Sequence, residues 1–205
     1  MGDQMVSTPF PEGRGQGDGP LSAQPRRYGP PAPPLDASPE QRGTTVALHL
    51  ADYYSLPRNA PGVQIDLAQP GIVPTLEALT DQHQIPAGGY TLLPNTFVLS
   101  QTLEIVHLRL SADLDQEAVG KPLLAARVEG KSSHARFGLL VHFTAPTVHA
   151  GYHGRITLEM INLGKWPLIL KPGIPICQLI IEEVLGDPIE SESQFQGQMK
   201  PTGAP

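Results

Sequence analysis

Short apolar segments separated by proline and glycine make up most of the chain after residue 43, and they restrict what it can fold into. The 205 residues include 23 prolines and 21 glycines, which favour many short strands and turns over long helices. Several segments alternate apolar and polar side chains, as half-buried strands do. Strands at this spacing predict an all-β sandwich or barrel of the jelly-roll type.

The individual elements follow from the same patterns. Two segments, 75–82 and 132–137, are predicted to form short helical turns, and Pro94-Asn95 and Lys171-Pro172-Gly173 are predicted to form turns. The predicted strands, in chain order, are 44–50, 63–67, 90–93, 96–99, 102–106, 123–128, 138–143, 155–161, 168–170 and 174–181.

Composition divides the chain into three parts. Residues 1–40 contain nine prolines and six glycines with almost no branched aliphatic residues, so ordering them would bury too little apolar surface to offset the lost entropy. A disordered Pro/Gly-rich arm is therefore predicted over 1–43, and a proline-rich ligand for another domain is the alternative. The β domain is predicted over 44–186 and a flexible polar tail over 187–205.

Charge and cysteine content exclude several classes of protein. A formal net charge of −6 argues against binding along a nucleic-acid backbone, which needs a basic surface. The single cysteine, Cys177, excludes an intrachain disulfide and a multi-cysteine zinc site, and its alternating apolar segment predicts a packed core thiol. With no long apolar run and no signal pattern, we expect a soluble, cytoplasmic protein that does not bind membranes.

The common catalytic signatures are also missing. The chain has no phosphate-binding Walker loop, no dinucleotide-binding glycine motif and no cysteine pair of a zinc deaminase. His149 and His153 are spaced as metal ligands on a helix would be, but Gly151 and Gly154 favour a turn there. Ser132 and Ser133 lack the glycine-flanked elbow of a serine hydrolase.

One stretch, 129–159, carries the residues best suited to chemistry. Glu159 lies between Leu158 and Met160, and a carboxylate among apolar neighbours tends to have the raised pKa that general acid–base catalysis needs. Arg136 is a suitable fixed cation beside it. The alternatives are a surface position for Glu159, a surface charge for Arg136, and Ser132-Ser133 acting as a helix cap.

The order of residues in this stretch resembles a known motif. Two serines, an alanine and an arginine precede an apolar strand, a threonine-alanine pair follows it, and a glycine-aromatic turn leads to a strand that ends in leucine-glutamate. Here these are Gly130-Lys131-Ser132-Ser133-His134-Ala135-Arg136, Thr144-Ala145, Gly151-Tyr152 and Leu158-Glu159, with Asn162, Pro167, Leu170-Lys171-Pro172-Gly173, Gln178-Leu179 and Phe195-Gln196-Gly197-Gln198 beyond. The pattern resembles the trimeric dCTP deaminases of the dUTPase-like superfamily, strongly over 128–182 and patchily over 44–127.

This resemblance implies a fold and an activity. The fold would be a dUTPase-like distorted jelly-roll or β-barrel with a few short helices, assembled as a homotrimer whose active sites are shared between subunits. The activity would be the hydrolytic deamination of dCTP to dUTP and ammonia without zinc. Glu159 would activate the water, Arg136 and Ser132 would position it, and Mg²⁺ would be bound with the triphosphate.

The resemblance also implies nucleotide-binding residues. The phosphates would meet Lys131, Ser133 and nearby backbone amides, the base edge would be read by the backbone of Thr157 and Leu158, and Phe195 and Gln198 would close over the nucleotide as a lid. The implied binding set is Lys131, Ser133, His134, Ala135, Ala145, His149, Thr157, Leu158, Gln194, Phe195 and Gln198.

Three departures from the family pattern bear on substrate and activity. His149-Ala150 replaces the aspartate-proline of the sugar-binding turn, Gln194 replaces a phosphate-binding lysine, and 46–49 lacks the aspartate and arginine of an early motif. Two alternatives therefore stay open: a non-catalytic, nucleotide-binding trimeric relative, and a dUTP pyrophosphatase.

Overall fold

A computed structural model describes residues 41–42, 45–110, 122–186, 188 and 193–205. Of the disordered arm predicted over 1–43, residues 1–40 and 43 lie outside the described residues, as do most of the first residues of the tail, whereas residues 41–42 form a short strand paired with residues 45–46. Within them, strands predominate and the two helices are short. The elements are β1 (Gln41–Arg42), β2 (Thr45–Pro57), α1 (Ile72–Leu79), β3 (Thr80–Gln84), β4 (Tyr90–Leu92), β5 (Phe97–His107), β6 (Leu123–Gly130), α2 (Ser132–Ala135), β7 (Leu139–Leu140), β8 (Thr147–Val148), β9 (His153–Asn162), β10 (Leu168–Leu170) and β11 (Pro175–Val184).

The main sheet is antiparallel and curls around its longest strand, β2. Its strands follow the order β7-β9-β5-β2-β11-β6-β8, with β1 and β3 also paired to β2, and β10 pairs with β4 separately. Residues 45–49 of β2 pair with β11, whereas residues 53–57 pair with β3. The register with β5 shifts between Leu50 and Tyr54, and such an irregularity bends a strand. The all-β prediction is confirmed.

The core lies on the inner face of this curled sheet. Strand β9 alternates between buried and partly exposed residues along most of its length, because successive side chains of a strand point to opposite faces. Its Leu158 and Met160 are fully buried, and they belong to one cluster with Leu50, Val98 and Ile176. Cys177 is in the same cluster, which confirms the packed core thiol.

Several predicted elements differ from the structure. Residues 63–67 form no strand: Val63, Ile65 and Leu67 are more than half exposed, and Asp66 accepts the Ala68 N–H in a turn, so the alternation there reflects no buried face. This hydrogen bond, followed by one from the Gln69 side chain, lowers the pKa of Asp66.

The remaining differences concern boundaries. The segments 96–99 and 102–106 form one strand, β5, and the helix predicted over 75–82 is α1, which ends at Leu79 before Thr80 starts β3. Of the strand predicted over 138–143 only Leu139–Leu140 pairs, and farther along the Phe143 N–H donates to the Glu159 carboxylate. The turns at Asn95 (φ 58°) and Gly173 (φ 76°) are confirmed. Among the described residues, no helix has the length and apolar character to cross a membrane.

Candidate active site

Two cavities contain most of the residues that the sequence singles out. The larger, about 640 Å³, lies between β9, the loop 145–152, helix α1 and the C-terminal segment 193–203. We call it the β9 cavity. The smaller, about 540 Å³, lies between the end of β6, helix α2 and the segment 139–143, and we call it the α2 cavity. His142 lines both cavities, so they are neighbours.

Glu159 faces the β9 cavity because of the alternation in β9. Its neighbours Leu158 and Met160 are directed into the core, which leaves Glu159 half-buried on the opposite face, beside Thr157. The Oε2 atom accepts the Phe143 N–H at 3.3 Å, and this bond fixes the carboxylate toward the segment after β7. Main-chain pairing of Glu159 with Leu99 of β5 holds its backbone in the sheet. The arrangement presents one oriented carboxylate to a cavity with largely apolar walls.

Six of the eleven predicted binding residues line this same cavity. They come from three separate segments of the chain, yet the fold brings them together around Glu159. These residues are Ala145, His149, Thr157, Gln194, Phe195 and Gln198. Leu158 is fully buried and lines neither cavity, so its predicted contact with the base through the backbone stays a prediction.

The turn before β9 positions His149 and anchors the C-terminal segment. The Tyr152 N–H donates to the His149 carbonyl at 3.2 Å, and Gly151 has φ 85°, which confirms a turn between His149 and His153. The Tyr152 hydroxyl donates to the Arg155 carbonyl at 2.6 Å and accepts from the Gln198 amide at 2.9 Å. Burial raises the pKa of Tyr152 to about 12, and the hydrogen bond from Gln198 opposes this rise.

Residues 193–205 pack against the start of β9. Gln198 is buried, its amide donates to the Arg155 carbonyl, and its own carbonyl accepts the Arg155 N–H at 3.0 Å. The Gly197 N–H donates to the His153 carbonyl at 2.7 Å, and Gln196 bonds both His153 and Gly151. The segment thus forms one wall of the β9 cavity, and its opening as a lid stays a prediction.

The α2 cavity holds a smaller share of the predicted site. Lys131, Ser132, Ser133 and Ala135 line it. Lys131 is the N-terminal cap of α2 and makes no side-chain cap bond, so the alternative of serines that cap the helix is wrong. Arg136 follows α2, is exposed, lines neither cavity and has no side-chain partner within the described residues. The chain alone therefore does not place Arg136 in one cavity with Glu159.

His134 of α2 is half-buried and lines neither cavity. Burial, and then the charge of Lys131, lowers the pKa of this imidazole, while the Ile176 backbone opposes that shift. Its Nδ1 atom is buried without a hydrogen-bond partner. The predicted contact of His134 with the nucleotide stays a prediction.

A family model described as dCTP deaminase-like matches residues 34–184, which include both cavities except for the C-terminal wall. The chain belongs to the dCTP deaminase-like family.

Individual proteins of known name agree with this assignment. The chain is 41% identical over 132 residues to "dCTP deaminase, dUMP-forming" of Salinispora arenicola (strain CNS-205), which covers 60% of this chain and 62% of that protein. It is 36% identical over 144 residues to "dCTP deaminase" of Rhodospirillum rubrum, covering 69% of this chain and 68% of that protein.

A solved structure supports the fold. The 2'-deoxycytidine 5'-triphosphate deaminase from Agrobacterium tumefaciens superposes with a TM-score of 0.50 at 18% identity, over 70% of this chain and 40% of that chain. The all-β fold of this chain is therefore supported by a solved deaminase structure, and its family by the family model.

The segment 46–49, which lacks the aspartate and arginine of the early family motif, has a charged neighbour in the structure. His49, which ends the uncharged segment 46–49, bonds Glu104 of β5 through Nδ1···Oε1 at 2.6 Å, and its N–H donates to Oε2 at 2.9 Å. The side chains of His49 and Glu104 are each about 30% exposed. A carboxylate from β5 thus lies beside this part of β2, which the sequence of β2 alone does not reveal.

Other residues that line the β9 cavity belong to no sequence motif. Ile72 and Leu76 of α1 and Thr202 of the C-terminal segment line the β9 cavity beside His142. The α1 pair is visible as apolar positions four residues apart, but only the fold shows what they face. Among the described residues no group of three or more His, Cys, Asp or Glu could hold a metal ion.

Proposed function

We propose that this protein catalyses the hydrolytic deamination of dCTP to dUTP and ammonia, with Glu159 as general acid and base. The observation that carries the proposal is the single carboxylate of Glu159, oriented by Phe143 and facing a cavity of about 640 Å³. Membership of the dCTP deaminase-like family supports the substrate class. Such a cavity is large enough for a pyrimidine deoxynucleoside.

The chemistry assigned to Glu159 is proton transfer. Its carboxylate takes a proton from a water molecule, which adds its oxygen to C4 of the cytosine ring. The carboxylic acid gives this proton to the ring nitrogen. The regenerated carboxylate then takes the proton of the new C4 hydroxyl and passes it to the amino group, so that ammonia departs and the uracil carbonyl forms. A positioned carboxylate contributes about 10²–10⁴-fold in rate by such transfers. The Ala145 carbonyl and the backbone beside Thr157 would orient the base.

The phosphates need groups that the β9 cavity does not supply. Of the described residues that line it, none is lysine or arginine, whereas Lys131 with Ser132 and Ser133 lines the neighbouring α2 cavity. We therefore propose a homotrimer in which these residues and Arg136 of one copy complete the β9 cavity of another. Arg136 is exposed and without a side-chain partner in the described part of the chain, which suits this role.

A magnesium ion would be held by the triphosphate oxygens rather than by side chains. The described residues offer no cluster of metal-ligating side chains, and Mg²⁺ is commonly bound through substrate phosphates. Bound there, the ion would neutralise phosphate charge and leave the proton transfers to Glu159. A reaction without zinc is part of the proposal.

A second candidate for the product is dUMP. The relative from Salinispora arenicola bears the name dUMP-forming, which favours a reaction that also releases pyrophosphate. Deamination by Glu159 is common to both possibilities. Ammonia and pyrophosphate must therefore be measured separately.

The test is turnover of dCTP, dUTP and CTP with Mg²⁺ by the full chain and by Glu159→Gln. We expect ammonia from dCTP, and a loss of about 10²–10⁴-fold in kcat for Glu159→Gln with dCTP binding retained. Glu183→Gln, on the exposed end of β11, is the matched control and should keep full activity. Pyrophosphate with ammonia indicates dUMP as product, and pyrophosphate from dUTP alone indicates a pyrophosphatase. Binding without any product indicates a non-catalytic relative, and full activity of Glu159→Gln refutes the catalytic role.

A further inference from the structure

The end of the chain forms a tight loop against the β9 cavity. The Met199 and Lys200 N–H groups both donate to the Ala204 carbonyl, at 2.8 and 3.0 Å, and the Gly203 N–H donates to Lys200 at 2.9 Å. Lys200 also pairs with Glu77 of α1, with Nζ and Oε1 3.6 Å apart. These bonds hold Thr202 at the cavity wall, where Gly203 also lies.

The hydroxyl of Thr202 is buried and unsatisfied. Thr202 is 7% exposed, and its Oγ1 atom has no hydrogen-bond partner among the described residues. Thr157 Oγ1 and His142 Nδ1 are also buried atoms without a hydrogen-bond partner among the described residues, and both of these residues line the β9 cavity as well. Buried polar atoms are nearly always bonded, so three unsatisfied atoms on residues that line one cavity point to a polar partner that the chain alone does not supply.

The cavity also restricts which part of the ligand Thr202 can meet. Of its described lining residues none is lysine or arginine, and its apolar wall includes Leu99, Val148 and Ile156. Such a surface suits a sugar and a base and is unsuited to phosphates. A hydroxyl both donates and accepts, and it therefore fits the sugar hydroxyl or the edge of a pyrimidine.

We propose that Thr202 Oγ1 hydrogen-bonds the uncharged sugar–base part of the nucleotide, which makes the C-terminal loop a specificity-determining wall of the site. This inference rests on the proposed function for the class of ligand. Thr202 belongs to no motif of the sequence, and its role follows from the loop that buries it and from the missing partner of its hydroxyl.

The test compares Thr202→Val with Thr80→Val in the full chain carrying Glu159→Gln, so that dCTP is not consumed. Thr80 is equally buried at 7% exposure, but its hydroxyl already donates to the Leu76 carbonyl at 2.7 Å. We expect Thr202→Val to keep or raise the Tm of the free protein and to weaken dCTP binding about tenfold, as loss of one hydrogen bond does. Thr80→Val should lower the Tm and leave the Kd unchanged.

Titration with deoxycytidine, which carries no phosphate, identifies the part of the ligand involved. Thr202→Val should weaken deoxycytidine and dCTP by the same factor, and Thr202→Ser, which keeps the hydroxyl, should restore binding of both. A wild-type Kd in Thr202→Val overturns the inference, as does a Tm loss matching that of Thr80→Val. A loss confined to dCTP overturns it too, because the contact would be with phosphate. If the wild-type chain deaminates dCTP in any of these cases, the proposed function stands. If it binds neither dCTP nor deoxycytidine, both proposals fall.

Discussion

Asn162 provides a quantitative test of how β9 is joined to the parts of the site around it. Its side chain is fully buried at the end of β9. The amide donates to the carbonyls of Leu92 and Trp166 at 3.0 and 2.8 Å, and the side-chain oxygen accepts the Gly164 N–H at 2.9 Å. One side chain thus connects β9 to β4 and to the loop that leads into β10.

The cost of Asn162→Ala can be worked from these contacts. Three hydrogen bonds at about 1 kcal/mol each amount to about 3 kcal/mol. The Leu92 residue is fully buried, so its carbonyl loses a partner away from water, which adds up to about 1 kcal/mol. Trp166 is 63% exposed, and water can replace the bond to its carbonyl. We expect a loss of about 3 to 4 kcal/mol, a large part of the usual total of about 5–15 kcal/mol.

Urea unfolding followed by circular dichroism measures this loss. With a slope of about 2 kcal/mol per molar urea, the midpoint should fall by about 1.5 to 2 M at an unchanged slope. Asn59→Ala, which removes an exposed asparagine, is the control and should change stability by less than about 0.5 kcal/mol. A loss below about 1 kcal/mol for Asn162→Ala would refute the reasoning, because the three bonds would then contribute nothing beyond what water supplies.

Two further predictions concern the core thiol and the C-terminal loop. Burial, and then the charge of Glu104, raises the pKa of Cys177 from 9.0 to about 12, so its contribution to stability is complete below pH 9 and is lost between pH 9 and 12. The wild-type urea midpoint should fall more steeply over that range than that of Cys177→Ala; parallel curves would contradict the assignment. Gly203 has φ 89°, and a Cβ there would lie 2.6 Å from the Phe195 ring, so Gly203→Ala should release the C-terminal segment. Limited proteolysis should then cut that segment faster while the urea midpoint changes little, and unchanged proteolysis would argue against this packing.

The fold class could be predicted from the sequence because strand alternation and turn residues are local signals. Strand β9 shows this, since its alternation marks the buried residues and leaves Glu159 on the cavity face. The same signal fails at 63–67, where Asp66 forms a turn and no strand pairs with the segment. Alternation describes side-chain polarity alone, and only pairing with a distant strand decides whether a segment is buried.

Only those residues of the candidate site that belong to a sequence motif could be predicted. The serine-arginine segment and Glu159 have one; the fold places Ser132 and Ser133 at the α2 cavity and Glu159 at the neighbouring β9 cavity, while Arg136 lines neither. Thr202 and Leu76 have none, because their positions depend on the C-terminal loop and α1 meeting across the β9 cavity. The His49–Glu104 pair joins residues 55 positions apart, and no local pattern predicts such a contact.

The division of the site between two cavities follows from the charges that the proposed substrate carries. Phosphates require cations, and such cations would pair with the Glu159 carboxylate if they lined the same walls. In the described chain, the lining of the β9 cavity contains no lysine or arginine, and Lys131 lies at the α2 cavity. If a second copy supplies Arg136 and Lys131, the cations approach Glu159 only across an interface. Assembly would then be the step that completes the site, since it provides phosphate binding without placing a permanent ion pair on the carboxylate within each chain.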